Sequence, residues 1–286
     1  MNRAILHLHI RIIMKTKQCN ELPVIMAACD EVYFRRHALG FCKSAISSGH
    51  DVLIVVSPIP GPDVQTRARS LADRLFPRFR TKFNDEELRN LKLICVHDER
   101  ASQALEGRAA TIYFQSLRFY CLPDLLHEYN RPLLILDIDS IVRAPVSFKA
   151  DADLGLFLRL NNQKGRDDYD RLGMKVAAGM VYATPRSIQF FQRVVDYLDA
   201  HEMRYFADQR ALFETYKAET SLRIVDLAPL DMLDWHFRQM SAIWTGKGKR
   251  KRRDPQFIRE RLRYEGCGKL GATLKVLAYQ LRLFKA

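Results

Sequence analysis

Several things are scarce in this chain, and each scarcity closes off a class of protein. No stretch approaches the roughly 20 consecutive apolar residues that a helix needs to cross a bilayer. The opening segment, Ala4 to Met14, comes nearest to a leader, but His7, His9 and Arg11 interrupt it. No small-residue cleavage site follows, so it makes a poor signal peptide and reads as a short strand or a disordered start. Met14 is a second candidate initiator. The six cysteines are Cys19, Cys29, Cys42, Cys95, Cys121 and Cys267, and none stands at C-x-x-C spacing, which argues against a zinc site. Several lie inside apolar segments, where a thiol behaves as a small hydrophobe. A reducing cytoplasm is the simpler setting. No internal repeat is present, and the one low-complexity run is Gly246 to Arg253, GKGKRKRR.

Acidic residues are scarce at one end. From Lys247 to Ala286 there are thirteen Lys and Arg against Asp254, Glu260 and Glu265, so this segment carries +10 of the chain's +13 and the other 246 residues carry +3. Such a tail attracts phosphate, whether of anionic lipid, nucleic acid or a nucleotide, or else forms a solvated surface helix.

What the chain does have is most concentrated at Leu133 to Val142, LLILDIDSIV. A continuous apolar run bounded by polar residues suits a strand buried on both faces of a parallel sheet. Asp137 and Asp139 follow at its carboxyl end, where open α/β sheets bind ligands. Carboxylates are seldom buried without a partner, and a hard divalent cation is one such partner. The plainer reading is a pair of aspartates that cap the next loop.

The remaining pattern is β-α-β. Leu22 to Ala28 predicts a strand, Tyr33 to Ser48 a helix closed by Gly49, and Asp51 to Ser57 a second strand. The Pro58 to Pro62 loop leads to helices over 65–75 and 85–91, a strand over 91–96 and a long helix over 109–129. Parallel strands with right-handed crossovers follow from that order. Beyond the D-x-D run, short strands are expected at 154–158, 176–183 and 222–227. Helices are expected over 185–198, with Thr184 as cap and Pro185 as first residue, and over 208–216. Two basic amphipathic helices, 257–264 and 270–284, end the chain.

Two enzyme classes place D-x-D after an apolar strand. In haloacid-dehalogenase-type phosphatases the motif opens the domain and continues to Thr or Val at the fifth position, where this chain has Ile141 after more than a hundred residues of patterned sequence. The chain more closely resembles the GT-A glycosyltransferases, in particular the family of bacterial lipopolysaccharide galactosyltransferases and glycogenin. The likeness runs from about Val24 to Lys251 and rests on several motifs in order. Ala28, Asp30 and Tyr33 match the strand end and aromatic residue that receive the uracil base, although Asp30 also suits a helix cap. Arg118, in TIYFQSLRFYCLPDLL, matches an arginine that contacts the donor or the D-x-D. Asp137, Ile138 and Asp139 match the motif itself, with Asp137 and Asp139 as metal ligands. Ala178 and Gly179 match the strand beside the donor sugar, with Ala177 in place of the usual Asn. Asp208 and Gln209 match the D-Q-x-x-L segment that faces the anomeric carbon. Ile243 to Lys249 resembles the terminal H-x-x-G-x-x-K, in which Lys247 and Lys249 would touch the diphosphate. The motif's His, the third metal ligand, is absent, and His236 is poorly spaced to replace it.

The resemblance implies a Rossmann-like mixed, mostly parallel sheet flanked by helices, with a basic helical C-terminal appendage. It implies three parts: an extension over 1–20, a catalytic domain over 21–253 and an amphipathic tail over 254–286. It implies transfer of a sugar from a nucleoside diphosphate, UDP first, to a glycan, lipid-linked or protein acceptor with retention, helped by Mn²⁺ or Mg²⁺. A cytoplasmic enzyme held peripherally on an anionic membrane face is expected. The competing readings are a D-x-D phosphatase and a nucleic-acid-binding protein that acts through the tail.

Overall fold

The computed structural model describes residues 22–101, 107–149, 151–160, 174–202, 204–246, 248 and 250–280. In chain order they form β1 (Val24–Asp30), α1 (Glu31–Ser47), β2 (Val52–Ser57), α2 (Val64–Arg80), α3 (Asp85–Arg89), β3 (Leu91–Cys95), α4 (Gly107–Tyr129) and β4 (Leu133–Leu136). After these come β5 (Ser140–Val142), β6 (Leu154–Leu158), β7 (Val176–Ala183), α5 (Ile188–Ala200), α6 (Ala207–Ala218), β8 (Ile224–Asp226), β9 (Leu233–Asp234) and β10 (Ile243–Thr245). The helices α7 (Arg250–Arg253), α8 (Pro255–Tyr264) and α9 (Lys269–Gln280) follow. The expected extension over 1–20 lies outside the described residues.

Seven strands make the main sheet in the order β3-β2-β1-β4-β7-β6-β8. Its β3-β2-β1-β4 half is parallel, β7 runs antiparallel to β4 and β6, and β8 pairs parallel with β6. A strand alternates its side chains between two faces. Val24, Met26, Leu133 and Ile135 accordingly face a layer built from α4, α5 and α6, while Ile25, Ala27, Leu134 and Leu136 face α1 and α2. All four residues of β4 are fully buried. Both faces are therefore covered, which is why the run has no polar alternation.

The D-x-D run is not one strand. The Ser140 N–H donates to the Asp137 carbonyl at 2.9 Å, which turns the chain and moves 140–142 into a second, three-stranded sheet, β5-β10-β9. That sheet has no counterpart in the sequence reading, because two- and three-residue strands carry no period. Two further expectations change. Thr184 does not cap a helix with its side chain: its hydroxyl donates to the Asp153 carbonyl at 2.8 Å, a short 3₁₀ turn spans Pro185–Ser187, and α5 begins at Ile188. The helix α8, expected in the tail, packs into the body, with Phe257, Ile258 and Leu262 buried.

The segment after D-x-D is clamped by side chains of α1 and the turn behind it. Val142 donates its N–H to Ser44 Oγ at 3.1 Å and accepts from Ser48 Oγ at 3.2 Å. His50 bridges two backbones: Nδ1 lies 2.9 Å from the Pro23 carbonyl, so it donates, and Nε2 accepts from the Val146 N–H at 3.1 Å. Both ring nitrogens are used by a neutral imidazole, and burial lowers the pKa against the pull of Pro23 and Asp51. The sign follows. A histidine held neutral in the fold and free to protonate when unfolded leaves stability intact above the unfolded pKa of about 6.5 and removes it as pH falls below, by up to about 1.4 kcal/mol per pH unit. We expect the melting temperature of the wild type to approach that of His50→Asn as pH is lowered from about 7.5 to 5. A gap between the two that stays constant with pH would show that His50 titrates alike in both states.

Candidate functional site

The carboxyl ends of β1 and β4 open on the same edge of the sheet, and the motif residues gather there. Asp137 emerges from β4 half-exposed, and Asp139 is buried at 8% exposure. The register between β4 and β7 pairs Leu136 with Met180, so the next step sets Asp137 opposite Gly179. The approach is close: a Cβ on Gly179 would lie 2.7 Å from Asp137 Oδ2. Glycine is required there to leave the carboxylate its room.

Arg118 comes up from α4 between the layers. Its Nη1 donates to Asp137 Oδ1 at 2.6 Å, its Nε donates to the Gln115 carbonyl at 3.1 Å, and Nη2 lies 3.8 Å from Asp208 Oδ2. Burial opposes the charged guanidinium, but Asp137 and Asp208 outweigh it and raise its pKa. Asp208 opens α6 and is buried. Burial pushes its carboxyl up to about 6, against the pull of Arg118 and of the Gln209 N–H, which donates to Oδ1 at 2.9 Å. Gln209 itself carries a buried Oε1 with no hydrogen-bond partner among the described residues.

A second cation reaches the motif from the other side. Lys251 in α7 forms an ion pair with Asp139 Oδ2, and its Nζ lies 5.1 Å from the centre of the Tyr33 ring. Burial raises the Asp139 pKa against the pull of Lys251. The small sheet explains how Lys251 arrives. Ser140 pairs with Thr245 in an antiparallel register, so Asp139 faces Gly246. A Cβ on Gly246 would lie 2.4 Å from the Cβ of Lys251. Only a glycine lets the chain fold back that tightly.

Among the solved structures similar in this architecture are two glycosyltransferases. WbbM, a bifunctional glycosyltransferase in its apo form, aligns over 93% of this chain with a TM-score of 0.53 and 13% identity, and the chain spans about half, 53%, of its length. The galactosyltransferase LgtC, in complex with donor and acceptor sugar analogs, aligns over 92% of this chain and 96% of its own, with a TM-score of 0.50 and 17% identity. The chain has a GT-A glycosyltransferase fold. No family model matches the chain, nor does any curated protein.

Within this GT-A frame the structure brings together Arg118, Asp137, Asp139, Gly179, Asp208 and, one residue along α6, Gln209. Ala178 is buried next to Gly179, and Ile138 turns its side chain into the core, leaving its backbone toward the edge. Asp30 has one oxygen committed to capping α1, accepting from the Tyr33 N–H at 2.7 Å. Tyr33 is 36% exposed and Ala28 half-buried at the same strand end. Lys247 and Lys249 lie outside the described residues. His236 accepts from Arg250 through Nδ1 at 3.0 Å. Among the described residues, no three His, Cys, Asp or Glu side chains converge as a metal site. The sequence reading missed Lys251. A run of six basic residues between 247 and 253 gives no sign of which one turns inward, and the glycine at 246 was the only local hint.

Arg118 and Asp208 form a buried pair, and removing one member leaves a desolvated charge. We expect Arg118→Met to lose about 3–5 kcal/mol in urea unfolding. The double variant Arg118→Met/Asp208→Asn should recover part of that loss, because only the half-exposed Asp137 then lacks its partner. Strict additivity of the two single variants would show that the pair is not coupled.

Proposed function

We propose that this chain is a glycosyltransferase that moves a sugar from a nucleoside diphosphate, with UDP the first candidate, to a glycan, lipid-linked or protein acceptor. The observation that carries this reading is the Arg118 cluster: the D-x-D carboxylate Asp137 and the α6 carboxylate Asp208 held by one guanidinium at the edge where β1 and β4 end. LgtC, of the same fold, holds donor and acceptor sugar analogs. Neither competing reading has an observation in its favour. A phosphatase nucleophile gains nothing from the Arg118 contact, and a nucleic-acid-binding tail leaves the cluster without a purpose.

The carboxylate pair suits a divalent cation, and the charge count supports one. Asp137, Asp139 and Asp208 face Arg118 and Lys251, which leaves one net negative charge among these side chains. A diphosphate at these carboxylates would gain from a further cation beside it. Magnesium and manganese bind through one or two carboxylates, waters and substrate phosphates, and so need no third protein ligand. Asp137 keeps 38% of its side chain exposed for that purpose. Asp137 and Asp139 would hold the ion, which when bound supplies positive charge to the leaving diphosphate.

The chain's own groups do the rest. Arg118 fixes the rotamer of Asp137 and lends positive charge to the same region. Asp208, with its pKa near 6, is largely ionised at neutral pH and faces the site from a helix start. The unpaired Oε1 of Gln209 is an acceptor for a sugar hydroxyl. Tyr33 offers an exposed ring, and Asp30 its second carboxylate oxygen, to a nucleobase at the end of β1. Retention at the anomeric carbon is carried over from the family resemblance.

The acceptor side points to a membrane. In α9, Ala272 and Val276 pack on Ile258 and Leu262 of α8, while Leu270, Leu274 and Leu277 form an outward stripe at 76%, 57% and 47% exposure. Exposed Arg253, Arg259, Arg263 and Lys275 accompany it. Among the described residues no helix is long and apolar enough to cross a membrane. A basic helix with a leucine stripe suits the surface of an anionic bilayer, where each basic residue adds about 1 kcal/mol. Leu281 and Phe284, within the helix expected over 270–284, lie outside the described residues.

Two measurements test these readings. Incubated with a panel of sugar nucleotides and Mn²⁺, the protein should hydrolyse a UDP-linked sugar slowly without acceptor, and Asp139→Asn should lower that rate on the order of a hundredfold. Turnover of simple phosphate esters with no sugar nucleotide consumed would refute the transferase reading. Separately, the intact protein should co-sediment with vesicles containing anionic lipid and not with neutral ones, and Leu270→Gln/Leu274→Gln/Leu277→Gln should stay folded and lose that binding. Equal sedimentation of variant and wild type would remove the stripe from the argument.

A further inference from the structure

The proposed metal seat is already taken. We propose that the Lys251 ammonium is a built-in counter-cation for Asp139, and that Lys251 and a divalent ion are alternative occupants of that carboxylate. This rests on the reading of Asp137 and Asp139 as metal ligands.

Three observations carry it. Lys251 is nearly buried, with 12% of its side chain exposed, although the run it belongs to ends in the exposed Arg253. Its ammonium pairs with Asp139, itself buried, so the contact is not a loose surface ion pair. Its backbone is held in place: β10 pairs with β5 as far as Thr245 and Ser140, the neighbours of Gly246 and Asp139, and the turn packs Lys251 so closely on Gly246 that an added Cβ would lie 2.4 Å from one side-chain carbon and 2.9 Å from Cα.

An ion coordinated at about 2.1 Å and an ammonium hydrogen-bonded to the same carboxylate would sit roughly 3–4 Å apart as like charges in a poorly solvated place. Each therefore weakens the other. Without donor, Lys251 neutralises Asp139 and keeps the seat closed to free metal. A metal that arrives with a diphosphate brings anionic oxygens, and the displaced ammonium has somewhere to go: it can turn from Asp139 to those oxygens while it stays near the Tyr33 ring. Occupancy by the metal then depends on the donor, as an ordered binding scheme requires.

The test is Mn²⁺ binding to the full, metal-stripped chain, read by electron paramagnetic resonance without nucleotide and again with UDP. Lys251→Met should bind free Mn²⁺ about tenfold tighter than wild type, or more, and its melting temperature should rise further on adding Mn²⁺. Gly246→Ala, which pushes Lys251 aside without removing it, should shift binding in the same direction. Asp139→Asn/Lys251→Met should lose the gain, which locates the effect at Asp139. If Lys251→Met and Gly246→Ala both bind free Mn²⁺ no better than wild type while wild type binds it with UDP, the exchange is wrong and the metal reading survives. If neither wild type nor any variant binds Mn²⁺ even with UDP, the metal reading fails and the exchange fails with it.

Discussion

The Arg118 guanidinium is the interaction on which the site depends. It is buried between α4 and the sheet edge, where an unpaired positive charge would be intolerable. It is held there by carboxylates from two other elements, Asp137 after β4 and Asp208 at the start of α6. Each of these acids is costly in turn without the arginine. The three charges are mutually conditional, so the helix layer and the strand end cannot shift independently. Gly179 belongs to the same constraint, because Asp137 can take its position only where β7 presents no side chain.

A second tie closes the opposite flank. The chain leaves the main sheet at Asp137 and enters a small sheet whose partner strand, β10, comes from a hundred residues away. Trp244 in that strand is fully buried, donates its Nε1–H to the Arg238 carbonyl at 2.7 Å and lies under Arg143, 3.9 Å from its ring centre. Phe257 of α8 packs against Phe237 in the same cluster. The rigidity of this cluster sets where Gly246 falls and so where Lys251 can reach. On the far side of α1, Gly40 packs on Arg261 of α8, so the basic C-terminal segment is part of the body before α9 leaves it.

The two ion pairs differ in kind. Arg118 bridges two carboxylates and is also tethered to the Gln115 carbonyl, so it behaves as a fixed strut. Lys251 reaches one carboxylate from a four-residue helix and has an aromatic face beside it. An ammonium on a flexible stem is suited to exchange partners, whereas a planar guanidinium fork is suited to hold them. An anionic donor would meet a site with one settled positive charge and one available one.

Much of the architecture was legible in the amino-acid order, because long elements carry their own period. The apolar run 133–136, the amphipathic spacing of α1 and α5, Gly49 with its positive φ and the β-α-β sequence all report local constraints that residues within a turn or two impose on one another. The motif residues could be named for the same reason: a D-x-D after a buried strand has few uses. The tertiary structure alone decided which side chains meet. That His50 bridges the backbones of Pro23, 27 residues away, and Val146, 96 residues away, and that Lys251 rather than its basic neighbours reaches Asp139 follow from contacts between segments distant in sequence, the last from the register of β5 with β10. No local pattern encodes register between strands of two or three residues. Only the packing of Trp244, Phe237 and Phe257 beneath the small sheet fixes it.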